Sequence, residues 1–144
     1  MFLQGWNASI TSSDMFEFYS SFKQVLGKEK YFSYDMSKYC RDLIVKLRVG
    51  ALPINGSAFK KRTDRQGNHF CPSCKDAVES EIHIILDCPL YNEIRERYIS
   101  TYIINNSSFL YIMRCCNSDI TKSVGIYLIN LLKIRSMYLD HHDC

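Results

Sequence analysis

Three cysteines and one histidine lie within eighteen residues of this chain, in the order Cys71, Cys74, His83 and Cys88. Their thiol and imidazole groups form one close pair followed by a second pair, a spacing typical of structural zinc sites. Four such donors fill the tetrahedral shell of the ion and leave no position for water or substrate. The pattern therefore predicts one structural Zn²⁺ ion held by these four side chains.

Two other interpretations of the same residues stay open. The chain has seven cysteines, so the cluster could be a chance set of buried thiols beside a core histidine. Cys71 and Cys74 could also form a redox pair, but that motif requires a strand before it and a long helix directly after it, and neither is predicted here. His69 is a competing ligand because it lies close by, although its position before Cys71 fits a short ribbon better.

The local sequence predicts a turn and a helix that would bring the four ligands together. Pro72 stiffens the tight turn between the first two ligands. The stretch 79–87 has helical spacing and carries an apolar face of Ile82, Ile85 and Leu86. Pro89 ends this helix directly after the last ligand, because proline cannot continue the hydrogen-bond ladder.

Helical periodicity dominates the rest of the chain, so the expected fold class is mainly α: a helical lobe with a small zinc-stapled knuckle that contains a short β-ribbon at most. Asp14 starts a first predicted helix that Gly27 ends. The second is predicted over 35–49, ends at Gly50, and carries an apolar stripe of Met36, Tyr39, Cys40, Leu43, Ile44 and Leu47.

Three further helices are predicted after the knuckle. One covers 90–103 with a core face of Leu90, Ile94, Tyr98 and Tyr102. A short helix begins at Phe109, and Asp119 caps a final helix with a core face of Ile120, Val124, Tyr127, Leu128, Leu131 and Tyr138. We divide the chain into an N-terminal helix and linker (1–34), a region with the knuckle at 69–91 (35–104), and C-terminal helices with a frayed tail (105–144).

Basic charge is concentrated just before and within the knuckle. Residues 23–75 carry twelve Lys/Arg and four Asp/Glu, a net charge of +8, whereas 1–22 carry −2 and 76–144 carry −3. Such a block is typical of a surface that faces phosphate, although a solvated surface without a partner has the same pattern. The residues expected to contact RNA or DNA, without sequence preference, are Arg48, Lys60, Lys61, Arg62, Arg65 and Lys75.

The aromatic side chains that could stack on unpaired bases are Phe59, Phe70 and Tyr91. For Phe70 and Tyr91 the alternative is packing around the metal.

Cysteine usage and hydropathy indicate where the chain resides. An odd total of seven cysteines does not form a regular disulfide framework, so we expect a reducing compartment, either cytoplasm or nucleus. Residues 1–6 lack the features of a signal peptide. The apolar run 124–139 contains Lys133 and Arg135, so we expect no membrane span.

Several short motifs surround the knuckle in a fixed order: Leu47-Arg48-Val49-Gly50-Ala51-Leu52-Pro53, Phe59-Lys60-Lys61-Arg62, Cys71-Pro72-x-Cys74, Glu81-x-His83-x4-Cys88-Pro89-x-Tyr91, Ile94-Arg95 and Leu131-Leu132-Lys133-Ile134-Arg135. This order resembles the C-terminal region of reverse transcriptases from non-LTR (LINE-type) retrotransposons, over about residues 35–138. The resemblance implies a CCHC zinc-binding region at 35–104, a nucleic-acid partner, and a polymerase domain as a further partner.

The chain departs from that family at the site of catalysis. The polymerase of the family needs paired catalytic aspartates to hold two metal ions, and this sequence contains no Asp-Asp pair. The resemblance therefore implies a tail of a transposable-element protein without its enzymatic centre. We expect a non-enzymatic, zinc-dependent module that binds RNA or a single-stranded template. The alternatives are a structural zinc-stapled module for protein interaction and a truncated remnant of such an element.

Overall fold

The computed structural model describes residues 19, 22–23, 27–57, 67–99, 109–115 and 117–142. Within these residues the protein is mainly helical, as the sequence predicts, and its only β-pairing is one isolated antiparallel bridge between Phe70 and Val78. The α-helices are α1 (Lys38–Arg48), α2 (Asn92–Tyr98), α3 (Phe109–Arg114) and α4 (Ser118–His142). Shorter helical turns cover Lys30–Ser33, His83–Asp87 and Pro89–Tyr91.

Helix α1 begins and ends with local signals that the sequence carries. The Ser37 hydroxyl accepts a hydrogen bond from the Cys40 backbone N–H at 3.1 Å, which caps the first turn. Gly50 follows the helix with a φ of +67°, a conformation that favours glycine. The predicted stripe is buried at Cys40, Leu43, Ile44 and Leu47. Tyr39 was predicted to belong to it and is exposed instead, since it lies at the edge of the stripe in the first turn of the helix.

Arg48 lies in the core rather than on the surface. Its side chain is 1% exposed and pairs with Glu29 at 2.6 Å, while its Nε donates to the Met113 carbonyl at 2.7 Å. Its guanidinium also lies within 5.2 Å of three ring centroids, those of Tyr19, Phe22 and Tyr31. The prediction that Arg48 contacts nucleic acid is therefore wrong, because a side chain enclosed in this way cannot reach a phosphate.

Helix α4 is the long element against which the others pack, chiefly α1 and α2. Its cap is Asn117 rather than the predicted Asp119, since the Asn117 Oδ1 accepts from the Ile120 N–H at 3.1 Å. The predicted core face is buried at Ile120, Val124, Tyr127, Leu128 and Leu131. Gly125 allows α1 to come close, because a Cβ atom there would lie 3.2 Å from the Cys40 sulfur.

The described part of the chain contains no helix with the length and hydropathy of a membrane span.

The remaining predicted helices are confirmed in part. The helix predicted over 90–103 begins as the turn Pro89–Tyr91 and continues as α2, with Ile94 buried. Helix α2 ends at Tyr98 with Ile99 as its C-cap residue, which is earlier than the predicted end at 103. Most of the helix predicted to start at Asp14 lies outside the described residues. The predicted division of the chain at 34/35 and 104/105 stays a prediction.

Candidate metal centre

The four predicted ligands converge on one point. The Cys71 and Cys88 sulfurs lie 3.7 Å apart, those of Cys74 and Cys88 lie 3.8 Å apart, and the Cys74 sulfur lies 3.5 Å from the His83 Nε2. All four donor atoms lie within 4.8 Å of one another. A tetrahedron with metal–sulfur bonds of about 2.3 Å and a metal–nitrogen bond of about 2.0 Å has sulfur–sulfur edges of about 3.8 Å and sulfur–nitrogen edges of about 3.5 Å. The cluster is therefore close enough to hold a metal ion, and its cysteines are free thiols.

A short ribbon, residues 69–71 and 77–79, positions the first two ligands. Its strands are joined by the Cys71 N–H, which donates to the Ala77 carbonyl at 2.7 Å, and the Glu79 N–H, which donates to the His69 carbonyl at 3.0 Å. The connecting turn closes where the Lys75 N–H donates to the Cys71 carbonyl at 2.9 Å, with Lys75 at a φ of +66°. This folds the chain back so that the Cys74 sulfur lies beside Cys71. The ribbon matches the short one that the sequence allows.

The second pair of ligands lies at the two ends of the π-helical turn His83–Asp87, with Cys88 as its C-cap residue, and we call residues 83–88 the ligand turn. The Cys88 N–H donates to the His83 carbonyl at 2.8 Å, a bond that spans five residues. In a regular α-helix, side chains five residues apart point about 140° away from each other. The wider turn brings both side chains to the same side, so the x4 spacing works because the helix is π rather than α.

The π turn also changes which apolar residues are buried. Ile82, predicted to face the core, is 47% exposed, and Ile84, which was not predicted to face it, is fully buried, whereas Ile85 is buried as predicted. The extra residue in the turn rotates the helix face, so a prediction based on α-helical periodicity fails at this point. Pro89 ends the segment, as predicted.

Side chains from α2 and α4 hold the carbonyls of the ligand turn. Arg95 donates from Nε to the Ile85 carbonyl at 2.8 Å and from Nη2 to the Cys88 carbonyl at 2.8 Å. The Tyr127 hydroxyl donates to the Ile84 carbonyl. Neither role is predictable from the sequence, since a hydrogen bond to a carbonyl elsewhere in the chain leaves no local pattern.

A buried ion pair ties the ribbon to the last helix. Glu79, fully buried, accepts from Arg135 on α4 through Nη2 at 2.8 Å and Nε at 3.0 Å. The Asn55 backbone N–H donates to the same carboxylate at 2.7 Å, and the Asn55 side chain donates to the Phe70 carbonyl at 3.0 Å. The ribbon, loop 51–57 and α4 therefore meet at one carboxylate.

The thiols of the cluster differ in acidity because they share protons. The hydrogen bond from Cys88 lowers the pKa of Cys71 to about 4, which outweighs the opposing effect of burial. The same contact, together with burial, raises the pKa of Cys88, and burial raises the pKa of Cys74. A divalent cation that uses all three sulfurs must displace the protons that these thiols hold.

The other candidate residues are distributed around this centre. His69 is not one of the four converging side chains, since its Nδ1 lies 3.0 Å from the Asn55 carbonyl oxygen. Phe70 is 43% exposed, Tyr91 is buried, and Lys75 is exposed. Four of the predicted phosphate contacts and one aromatic lie outside the described residues, namely Lys60, Lys61, Arg62, Arg65 and Phe59.

Comparison with models of known protein families finds no match, and comparisons with curated proteins and with solved structures find none either. The resemblance to the C-terminal region of non-LTR reverse transcriptases therefore stays a hypothesis that rests on the order of the motifs. The central feature of the chain's own geometry is a Cys₃His cluster able to hold a metal ion.

Proposed function

We propose that Cys71, Cys74, His83 and Cys88 bind one structural Zn²⁺ ion, and that the zinc-stapled ribbon binds RNA or single-stranded DNA without catalysing a reaction. Three thiolates and one imidazole are the soft and borderline donors that suit zinc, and the set leaves no coordination position open. The observed donor spacing supports this choice over a chance cluster of thiols. It also argues against a redox pair, which would use only Cys71 and Cys74.

The observation that carries the nucleic-acid part of the proposal is the outward face of the ribbon. Along each strand the residues alternate, so that Cys71 and Glu79 are buried while Phe70 and Val78 are exposed. Lys75 is exposed at the turn that joins the strands. An exposed aromatic ring and an exposed cation on one short ribbon are the side-chain types that proteins use to stack on a base and to neutralise a phosphate.

The neighbouring basic segment adds charge to the same part of the chain. Residues 58–66 connect loop 51–57 to the ribbon and contain Lys60, Lys61, Arg62 and Arg65. Binding through these side chains would be sensitive to salt and largely independent of sequence, because lysine and arginine neutralise backbone phosphates. We further propose that the module is the tail of a non-LTR retrotransposon reverse transcriptase, as the motif order suggests.

The metal is tested by element analysis of the purified protein. We expect close to one zinc per chain, and we expect a Cys88→Ser variant to lose both the zinc and cooperative thermal unfolding. Cys40→Ser is the matched control, since Cys40 is a buried cysteine on α1 outside the cluster. Normal folding of the wild-type chain in strong chelator, without a bound transition metal, would refute the zinc proposal.

Nucleic-acid binding is tested by fluorescence anisotropy with a labelled single-stranded RNA at increasing salt. We expect binding that weakens steeply from low to moderate salt, and a Phe70→Ala variant that binds more weakly because about 1–3 kcal/mol of stacking is lost. Phe32→Ala is the control, since Phe32 is a similarly exposed phenylalanine outside the ribbon. A flat titration with zinc-loaded, folded protein rules out this function.

A second function, protein docking, is favoured by the outer surface of α4. Ile126 and Met137 are exposed and lie eleven residues apart, which places them on one face of the helix. Lys133 lies between them on that face, so this surface combines two exposed apolar side chains with one cation. A folded, zinc-loaded chain that fails to bind RNA would make this structural role the better account.

A further inference from the structure

Arg95 differs from Arg48 and Arg135 in what surrounds its charge. The buried Arg48 is paired with Glu29, and Arg135, whose side chain is 14% exposed, is paired with Glu79, so each of these two cations has a carboxylate partner. Arg95 is 9% exposed, and its guanidinium donates to two carbonyls and to the Asn92 side-chain oxygen at 2.6 Å. Among the described residues, no carboxylate lies within ion-pair distance of it.

A buried cation without an anion is costly, because dipolar carbonyls replace only part of its lost hydration. The two carbonyls that Arg95 binds belong to Ile85 and Cys88, both within the ligand turn. A divalent ion bound by three thiolates and a neutral imidazole carries a net charge of −1. A metal-loaded site would therefore place beside Arg95 the negative charge that no carboxylate among the described residues supplies.

We propose that Arg95 is a positioning residue of the metal centre with two actions, and this inference rests on the proposed zinc binding. Its fork of N–H groups holds the ligand turn at the π-helical width that brings His83 and Cys88 together. Its positive charge balances the net negative charge of the zinc–thiolate complex. Both actions stabilise the loaded state more than the metal-free state.

The test measures zinc affinity by competition with a chromophoric chelator, and ligand geometry by the absorption spectrum of the Co²⁺-substituted protein. We expect Arg95→Gln to weaken zinc binding by about tenfold or more, the usual effect of losing an outer-shell partner, and to alter the Co²⁺ spectrum. Arg95→Lys keeps the charge but loses the fork, so we expect a loss of a few-fold and a shifted spectrum. Arg97→Gln on the same helix, where the side chain is 62% exposed, should stay within about twofold of wild type.

A stability control separates positioning from general destabilisation. Leu43→Ala creates a cavity under α1 without removing a hydrogen bond to the ligand turn, so it should lower the melting temperature and leave the Co²⁺ spectrum unchanged. Arg95→Gln binding zinc within twofold of wild type would overturn the inference. If that variant does not fold, wild-type affinity and spectrum in Arg95→Lys would overturn it instead. A wild-type chain that binds no zinc would refute the metal site itself, which is a different result.

Discussion

Replacing Arg135 by methionine is the most direct test of how this fold is held together. The side chain reaches from α4 to Glu79 on the ribbon and bonds both carboxylate oxygens, at distances of 2.8, 3.0 and 3.2 Å. Methionine preserves much of the volume of the arginine stem but leaves the fully buried carboxylate with one partner among the described residues, the Asn55 backbone N–H. The substitution therefore isolates the effect of an uncompensated buried charge.

The expected loss is large because Glu79 cannot reach water. Removing one member of a buried, hydrogen-bonded ion pair costs about 3–5 kcal/mol in free energy of unfolding. For a chain of this length, each kcal/mol corresponds to about 4 °C of melting temperature, so the transition should fall by about 12–20 °C. The exposed pair of Arg97 and Glu93, 3.4 Å apart, provides the contrast, since Arg97→Met should cost less than about 1 kcal/mol.

The assay is urea and thermal unfolding in excess zinc, with circular dichroism at helical wavelengths. A double variant, Arg135→Met with Glu79→Gln, should be more stable than Arg135→Met alone, because a neutral amide replaces the stranded carboxylate and still accepts from Asn55. The reasoning is refuted if Arg135→Met behaves like the Arg97 control. It is also refuted if the added Glu79→Gln change recovers no stability.

Two further predictions concern acid stability and helix packing. Burial raises the pKa of Glu29, but hydrogen bonds from Tyr19 and Lys23 outweigh it and hold that pKa below its ordinary value of 4.5. The stabilisation that the Glu29 carboxylate provides is therefore fully present above pH 4.5 and is lost as the pH falls through its lowered pKa. Glu29→Gln should destabilise the protein at neutral pH, and this variant should lose less stability than wild type on acidification. Thermal unfolding measured across pH checks both. Gly125→Leu should cost about 1–3 kcal/mol in urea unfolding, because a Cβ atom there already lies 3.2 Å from the Cys40 sulfur; a variant as stable as wild type would contradict this packing.

Features that depend on local spacing were predictable from the sequence. The four ligands form a sequence pattern with a known chemical meaning, and the stripe of α1 repeats at helical intervals, so both could be read directly. Gly50 and Pro89 marked segment ends for reasons of backbone geometry alone. Nothing in these signals requires knowledge of distant contacts.

Features that depend on distant partners were not predictable. Arg135 and Glu79 are 56 residues apart in sequence, and Arg48 binds a carbonyl 65 residues away, so their burial follows from tertiary packing. In the sequence, a basic residue that forms an ion pair in the core cannot be told from one that lies on a phosphate-binding surface. The π turn was missed for another reason, since it inserts a single residue into a helix whose period otherwise indicates α.

The contacts that cross from the last helix to the knuckle have a practical consequence for anyone trimming this chain to a minimal finger peptide. A fragment of residues 67–99 would contain all four ligands but would lack Tyr127, Arg135 and Asn55, each bonded to the ligand turn or the ribbon. Glu79 would be left without its cation, and the Ile84 carbonyl without its donor. Expression boundaries should therefore extend past residue 135, even when the metal is the sole interest.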